Sequence, residues 1–135
     1  MTTKTYKGSC HCGAIAFEAD LDLARGTARC NCTFCTKTRA WKSFTQPAAF
    51  RILRGADKVG SYHKHPDAPL KHFCPTCSVY THETGRADYM GGDFVGVFVA
   101  SLDNAEPAEL IAPPVRFADG RNNDWGHVPA ETRHL

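Results

Sequence analysis

Hydrophobic positions along this chain alternate in short runs and do not recur every three or four residues. Ile15 and Phe17 alternate with small or charged neighbours just after Gly13. Phe50-Arg51-Ile52-Leu53 is a short β-prone run closed by Gly55, and Val79-Tyr80-Thr81 is another. Residues 94–99, preceded by Gly91-Gly92, form the strongest strand signal. No window of a dozen residues holds a clean 3.6-residue apolar period. Residues 46–50, with Pro47 near their start, predict at most one helical turn. Eight prolines and eleven glycines, spread throughout, fit many short strands joined by tight turns. The pattern predicts a mainly β fold with little helix. At 135 residues the chain makes one domain, residues 1–135, with an extended, turn-rich tail from about Pro113.

A domain of this size buries a real core, so any metal supplements packing and does not replace it. Sixteen Lys and Arg stand against fourteen Asp and Glu, a net charge of +2 with no basic block. That balance argues against an electrostatic DNA binder, and the aromatics are not interleaved with a basic stripe, so no nucleic-acid partner is expected. The richest basic stretch, residues 58–72, is broken by Pro66 and Pro69. It reads as a solvated loop, or alternatively as a docking surface for a carboxylate-bearing small molecule. Apolar runs are too short to span a membrane, and the opening residues lack the apolar stretch of a secretory signal, so a cytoplasmic location is expected.

That compartment bears on the seven cysteines, because reducing conditions disfavour structural disulfides and an odd count leaves one thiol over. All seven fall in three clusters: Cys10-His11-Cys12, then Cys30-Asn31-Cys32-Thr33-Phe34-Cys35, then Cys74-Pro75-Thr76-Cys77. Two thiolates one or two residues apart can turn toward one point, so each cluster acts as a chelating knuckle. Gly13 suits the sharp bend after the first. Zinc accepts such thiolates in a tetrahedron; a closed site takes four ligands, an open one about three. Seven divides as four plus three, which implies two zinc ions per chain. The natural division joins Cys10 and Cys12 with Cys74 and Cys77 and leaves Cys30, Cys32 and Cys35 as a trio. Spacing alone also allows Cys10 and Cys12 to share a metal with two of the middle cluster. It allows a second purely structural zinc, closed by one of His11, His63, His65, His72, His82 or His127. The plant-type ferredoxin spacing is not matched by Cys30-x-Cys32-x2-Cys35.

Gly8-Ser9-Cys10-His11-Cys12-Gly13, the Cys30/Cys32/Cys35 cluster, Phe73-Cys74-x2-Cys77, and Leu102-Asp103 resemble the glutathione-dependent formaldehyde-activating enzymes and the related centromere-protein-V-like domains. The tail, Asp119-Gly120-Arg121 with Trp125, is similar to the ending of short members of that family. Two departures stand out: Ser78 where the family has Gly, and residues 36–42 where it has small residues and glycine. The resemblance implies an Mss4-like β-tent. It implies a structural zinc on Cys10, Cys12, Cys74 and Cys77, and a catalytic-type zinc on Cys30, Cys32 and Cys35. The implied activity is that of a carbon–sulfur lyase joining a thiol, glutathione, to formaldehyde or a related small aldehyde. A non-catalytic zinc module that binds a protein or small ligand is the alternative. Lys37, Arg39, Lys42 and residues 64–71 are candidate anchors for glutathione carboxylates. Arg121 and Trp125 are candidates to close over the site.

Overall fold

The computed structural model describes residues 3–135; Met1 and Thr2, which begin the segment read for a secretory signal, lie outside them. Among the described residues, ten strands form two sheets. The smaller sheet pairs β1 (Lys4–Ser9), β2 (Ala16–Leu21) and β5 (Phe50–Arg54) in the order β1-β2-β5, all antiparallel. The larger has seven strands: β3 (Thr27–Cys30), β4 (Lys42–Thr45), β6 (Gly60–Tyr62), β7 (Leu70–Phe73), β8 (Tyr80–Ala87), β9 (Gly92–Phe98) and β10 (Val115–Ala118). Their order is β10-β3-β4-β9-β8-β7-β6, antiparallel except for the parallel pair β10 and β3. The mainly β expectation therefore holds, and among the described residues no helix is long and apolar enough to cross a membrane.

Alternation within strands dictates how the two sheets meet. Phe17, Ala19 and Leu21 of β2 point one way and are at most 1% exposed. They pack with Tyr6, Leu23, Val95 and Val97, and Phe50 lies against them. Each such large apolar side chain contributes roughly 1.5–3 kcal/mol by leaving water. His82 of β8 also sits at this junction, stacked between Phe50 at 4.4 Å and His72 at 4.3 Å. The opposite face of the larger sheet carries Lys42, Phe44, Glu83 and Phe98, and the site described below lies there.

Among the described residues there are two α-helices, both too short to show a 3.6-residue apolar period. Helix α1 (Thr33–Thr38) is started by Cys32, whose sulfur accepts the Cys35 N–H, and ends at Arg39 in the left-handed region. Helix α2 (Pro107–Ile111) has Pro107 in its first turn and a reciprocal Glu106/Glu109 capping box. Pro107 and the spacing of those two glutamates were the readable signal. The single turn expected at residues 46–50 is present as a 3-10 turn, Pro47–Ala49. Within the basic stretch, residues 61–67 are exposed, while β6 and β7 pair as a hairpin around them. The tail does not run free: β10 extends the larger sheet beside β3.

Candidate metal centres

Two of the cysteine clusters occupy matching turns. Cys10 follows β1, and its N–H donates to the Ile15 carbonyl while its own carbonyl accepts from Gly13. Cys74 follows β7, its N–H donates to the Val79 carbonyl, and its carbonyl accepts from Ser78. Each turn needs one left-handed residue: Gly13 at φ +79° in the first and Ser78 at φ +67° in the second. Ser78 thus takes a left-handed conformation at the position where the resemblance implies glycine. The Cys77 N–H, first among its causes, draws the Cys74 thiol below its ordinary pKa.

Facing turns bring Cys10, Cys12, Cys74 and Cys77 together, all four sulfurs within 4.8 Å of one another. Cys10 Sγ lies 3.7 Å from Cys12 Sγ, and Cys12 Sγ lies 3.7 Å from Cys74 Sγ. A tetrahedron with metal–sulfur distances of about 2.3 Å has edges of about 3.8 Å, so the spacing fits a zinc-sized ion. It is far too long for a disulfide, and all seven cysteines are free. The Leu102–Asp103 motif meets this corner: Leu102 bridges Gly8, and the Ser9 hydroxyl donates to Asp103 Oδ2 at 2.6 Å. Gly8 is required there, because a Cβ would fall on the Phe17 ring.

Cys30, Cys32 and Cys35 form a separate group, again with sulfurs within 4.8 Å. Strand β3 delivers Cys30, and the first turn of α1 returns Cys35. Backbone N–H groups support two sulfurs: Cys32 N–H donates to Cys30 Sγ at 3.4 Å and Cys35 N–H to Cys32 Sγ at 3.3 Å. Hydrogen bonding with Cys30, then with Cys35, draws the Cys32 thiol below its ordinary pKa, while contacts with Cys30 and then Cys32 push the buried Cys35 thiol up. Each metal-sized group consists of cysteines alone, so among the described residues no histidine completes the trio. His72 and His82 stack between the sheets, and His127 bonds to Asp124.

The tail lies over the trio through Asn31, a residue the sequence reading passed over. Asn31 N–H donates to the Ala118 carbonyl and its Nδ2 to Asp119 Oδ1 at 2.8 Å. Its Oδ1 accepts the Arg121 N–H and its carbonyl accepts Arg121 Nε, both at 2.9 Å. This clasp seats Gly120 against the site, where an added Cβ would be 2.6 Å from Cys30 Sγ and 2.5 Å from the Trp125 ring. Farther on, the His134 carbonyl accepts Arg39 Nη1 at 2.6 Å, so the tail is tied at both ends of the Cys30–Arg39 segment.

Two expected carboxylate anchors are differently employed. Lys42 is 7% exposed and donates to Glu83 Oε1 at 2.8 Å, while Lys71 approaches the same oxygen at 3.5 Å. Neither is a surface cation. Lys37, Arg39 and Lys64 are exposed. A groove of about 350 Å3 opens beside α1, lined by Arg39, Trp41, Ser78, Tyr80, Phe98 and Ser101 among others.

The sequence model described as glutathione-dependent formaldehyde-activating enzyme matches residues 5–117. A Halomonas elongata protein named "Putative glutathione-dependent formaldehyde-activating enzyme" is 26% identical over 135 residues, covering 94% of this chain and 82% of its own. A Rhodobacter sphaeroides protein of known crystal structure superposes with a TM-score of 0.67 at 32% identity, covering 81% of this chain and 98% of its own. With the two cysteine groups, the family match settles the lineage: this chain belongs to the glutathione-dependent formaldehyde-activating enzyme family.

Proposed function

We propose that this protein is a zinc-dependent carbon–sulfur lyase-type enzyme that adds glutathione, or a similar thiol, to formaldehyde or a related small aldehyde. The observation that carries the reading is the separation of a three-sulfur group from a four-sulfur one. The four, Cys10, Cys12, Cys74 and Cys77, can saturate one zinc and tie the end of β1 to the start of β8. The three, Cys30, Cys32 and Cys35, leave one position of a second zinc for an exchangeable ligand. When bound there, zinc would lower the pKa of an incoming thiol so that a nucleophilic thiolate exists near neutral pH. Three anionic sulfur ligands make it a weaker Lewis acid than three histidines would, favouring thiol delivery over activation of water.

The chain's own residues supply the rest. The Cys32 and Cys35 N–H contacts hold the trio in place, and the Asn31 clasp keeps the tail across it. The groove beside α1 offers aromatic and hydroxyl groups to the peptide part of the thiol, with Arg39 at its rim. In the overall reaction one carbon–sulfur bond forms, the carbonyl π bond opens, and the thiol proton ends on oxygen. Seven free thiols suit a reducing compartment such as the cytoplasm.

Titrating glutathione into cobalt-substituted protein tests the reading. A change in the thiolate-to-cobalt band, lost in Cys32→Ser, with S-hydroxymethyl adduct formed on adding formaldehyde, is the expected result. An unresponsive band would point instead to a non-catalytic zinc module.

A further inference from the structure

A buried charge cluster beside the trio has no role in the reaction so far described. Lys42 of β4 and Lys71 of β7 converge on Glu83 of β8, at 2.8 and 3.5 Å, with Glu83 only 2% exposed. Gly96 makes room for it: a Cβ there would meet the Glu83 side chain at 2.8 Å. Two ammonium groups against one carboxylate leave one positive charge in excess. Desolvating even a balanced ion pair is expensive, so an unbalanced interior charge requires a counter-charge nearby.

The fold supplies one candidate. Lys42 pairs in register with Ala28 of β3 and Phe98 of β9. Cys30 is two residues beyond Ala28, hence on the same face, and Phe98 packs in one cluster with Cys30 and Cys35. Lys71 lies 4.9 Å from the ring of Phe34, the residue preceding Cys35. Three thiolates around a divalent ion carry one net negative charge, equal and opposite to the excess on the lysine cluster. The Lys42 ammonium is held charged despite burial by Glu83 and then Cys35, with Cys32 adding to this.

We propose that Lys42, with Lys71 beside it and Glu83 offsetting one of the two positive charges, is a positioning residue that balances the charge of the three-cysteine metal site. By drawing electron density from the sulfurs it would also raise the electrophilicity of that metal relative to an isolated trio. The proposal rests on the trio binding a metal, but not on glutathione being the substrate.

The test measures metal affinity at each group separately, by cobalt titration and chelator competition on the full chain. K42M should weaken the trio's affinity roughly 10- to 100-fold, the range for partners of metal ligands. It should leave the four-cysteine group unchanged and move the trio's thiolate-to-cobalt band to longer wavelength; K42R should restore both. Glu83→Gln raises the excess to two positive charges and should tighten the trio, whereas a merely structural cluster would loosen it. Unchanged affinity in K42M, equal loss at both groups, or weaker trio binding in E83Q would overturn the proposal. If K42M fails to fold, E83Q alone decides. Wild-type protein binding no metal at the trio would overturn both this and the functional reading. Normal cobalt behaviour with no response to glutathione would remove only the latter.

Discussion

The four-cysteine and three-cysteine groups use the same sulfur chemistry in opposite structural settings. The four come from two turns far apart in sequence, after β1 and β7, so a metal there ties the two sheets together. The three come from one continuous segment at the end of β3 and the start of α1, so a metal there joins almost nothing that the backbone has not joined already. On the proposed reading, metal at the first corner contributes to folding and metal at the second is left for chemistry. The surroundings differ likewise: the trio has the buried Lys42 and the half-buried Lys71 behind it and the clasped tail across it.

The largest expected contrast is in stability. Cys74→Ser should cost on the order of 5 kcal/mol, close to the whole stability of a small domain, because structural metal binding is folding free energy. Cys35→Ser should leave the circular dichroism spectrum and thermal midpoint nearly unchanged. Equal damage from the two would break the distinction.

Acid should reveal a third region, separate from either group. His82 is buried, and desolvation, followed by the charge of His72, lowers its pKa from 6.5 to about 3. The unfolded chain therefore takes up the proton first. Stability from this residue is intact above about pH 6.5 and is lost as pH falls toward 3, at roughly 1 kcal/mol per unit. Urea melts across that window should show a shallower pH dependence in His82→Phe than in the wild type.

At the trio, Gly120→Val would push a side chain into the space between Cys30 Sγ and the Trp125 ring. Metal affinity there should fall by about tenfold or more, with the four-cysteine metal retained, as chelator competition would read. At the other corner, Ser78→Gly should stabilise the fold by about 1 kcal/mol, since Ser78 occupies φ +67° without the freedom of glycine. Denaturant midpoints would detect it.

Some of this was legible in the sequence for clear reasons. A knuckle is a local object, so the Cys10/Cys12 and Cys74/Cys77 spacings can be read directly; of the alternating pair, Phe17 lies on a buried sheet face, whereas Ile15 precedes β2 and packs with Cys10 and Cys74. The remainder depends on register across strands distant in sequence. Lys42 is a candidate carboxylate anchor by sequence and Glu83 carries no signal there, because only the β4-β9-β8 pairing puts the two together. Asn31 carries no signal in the sequence, because its role depends on the tail folding back onto all four of its polar groups. Helix α1 is six residues long, too short for any periodicity to declare it.

Counting metal is the most direct test. Native mass spectrometry of carefully purified protein should find two zinc ions per wild-type chain and one in a folded Cys32→Ser variant. A single zinc in the wild type, lost together with the fold in Cys32→Ser, would contradict a second metal held by the trio.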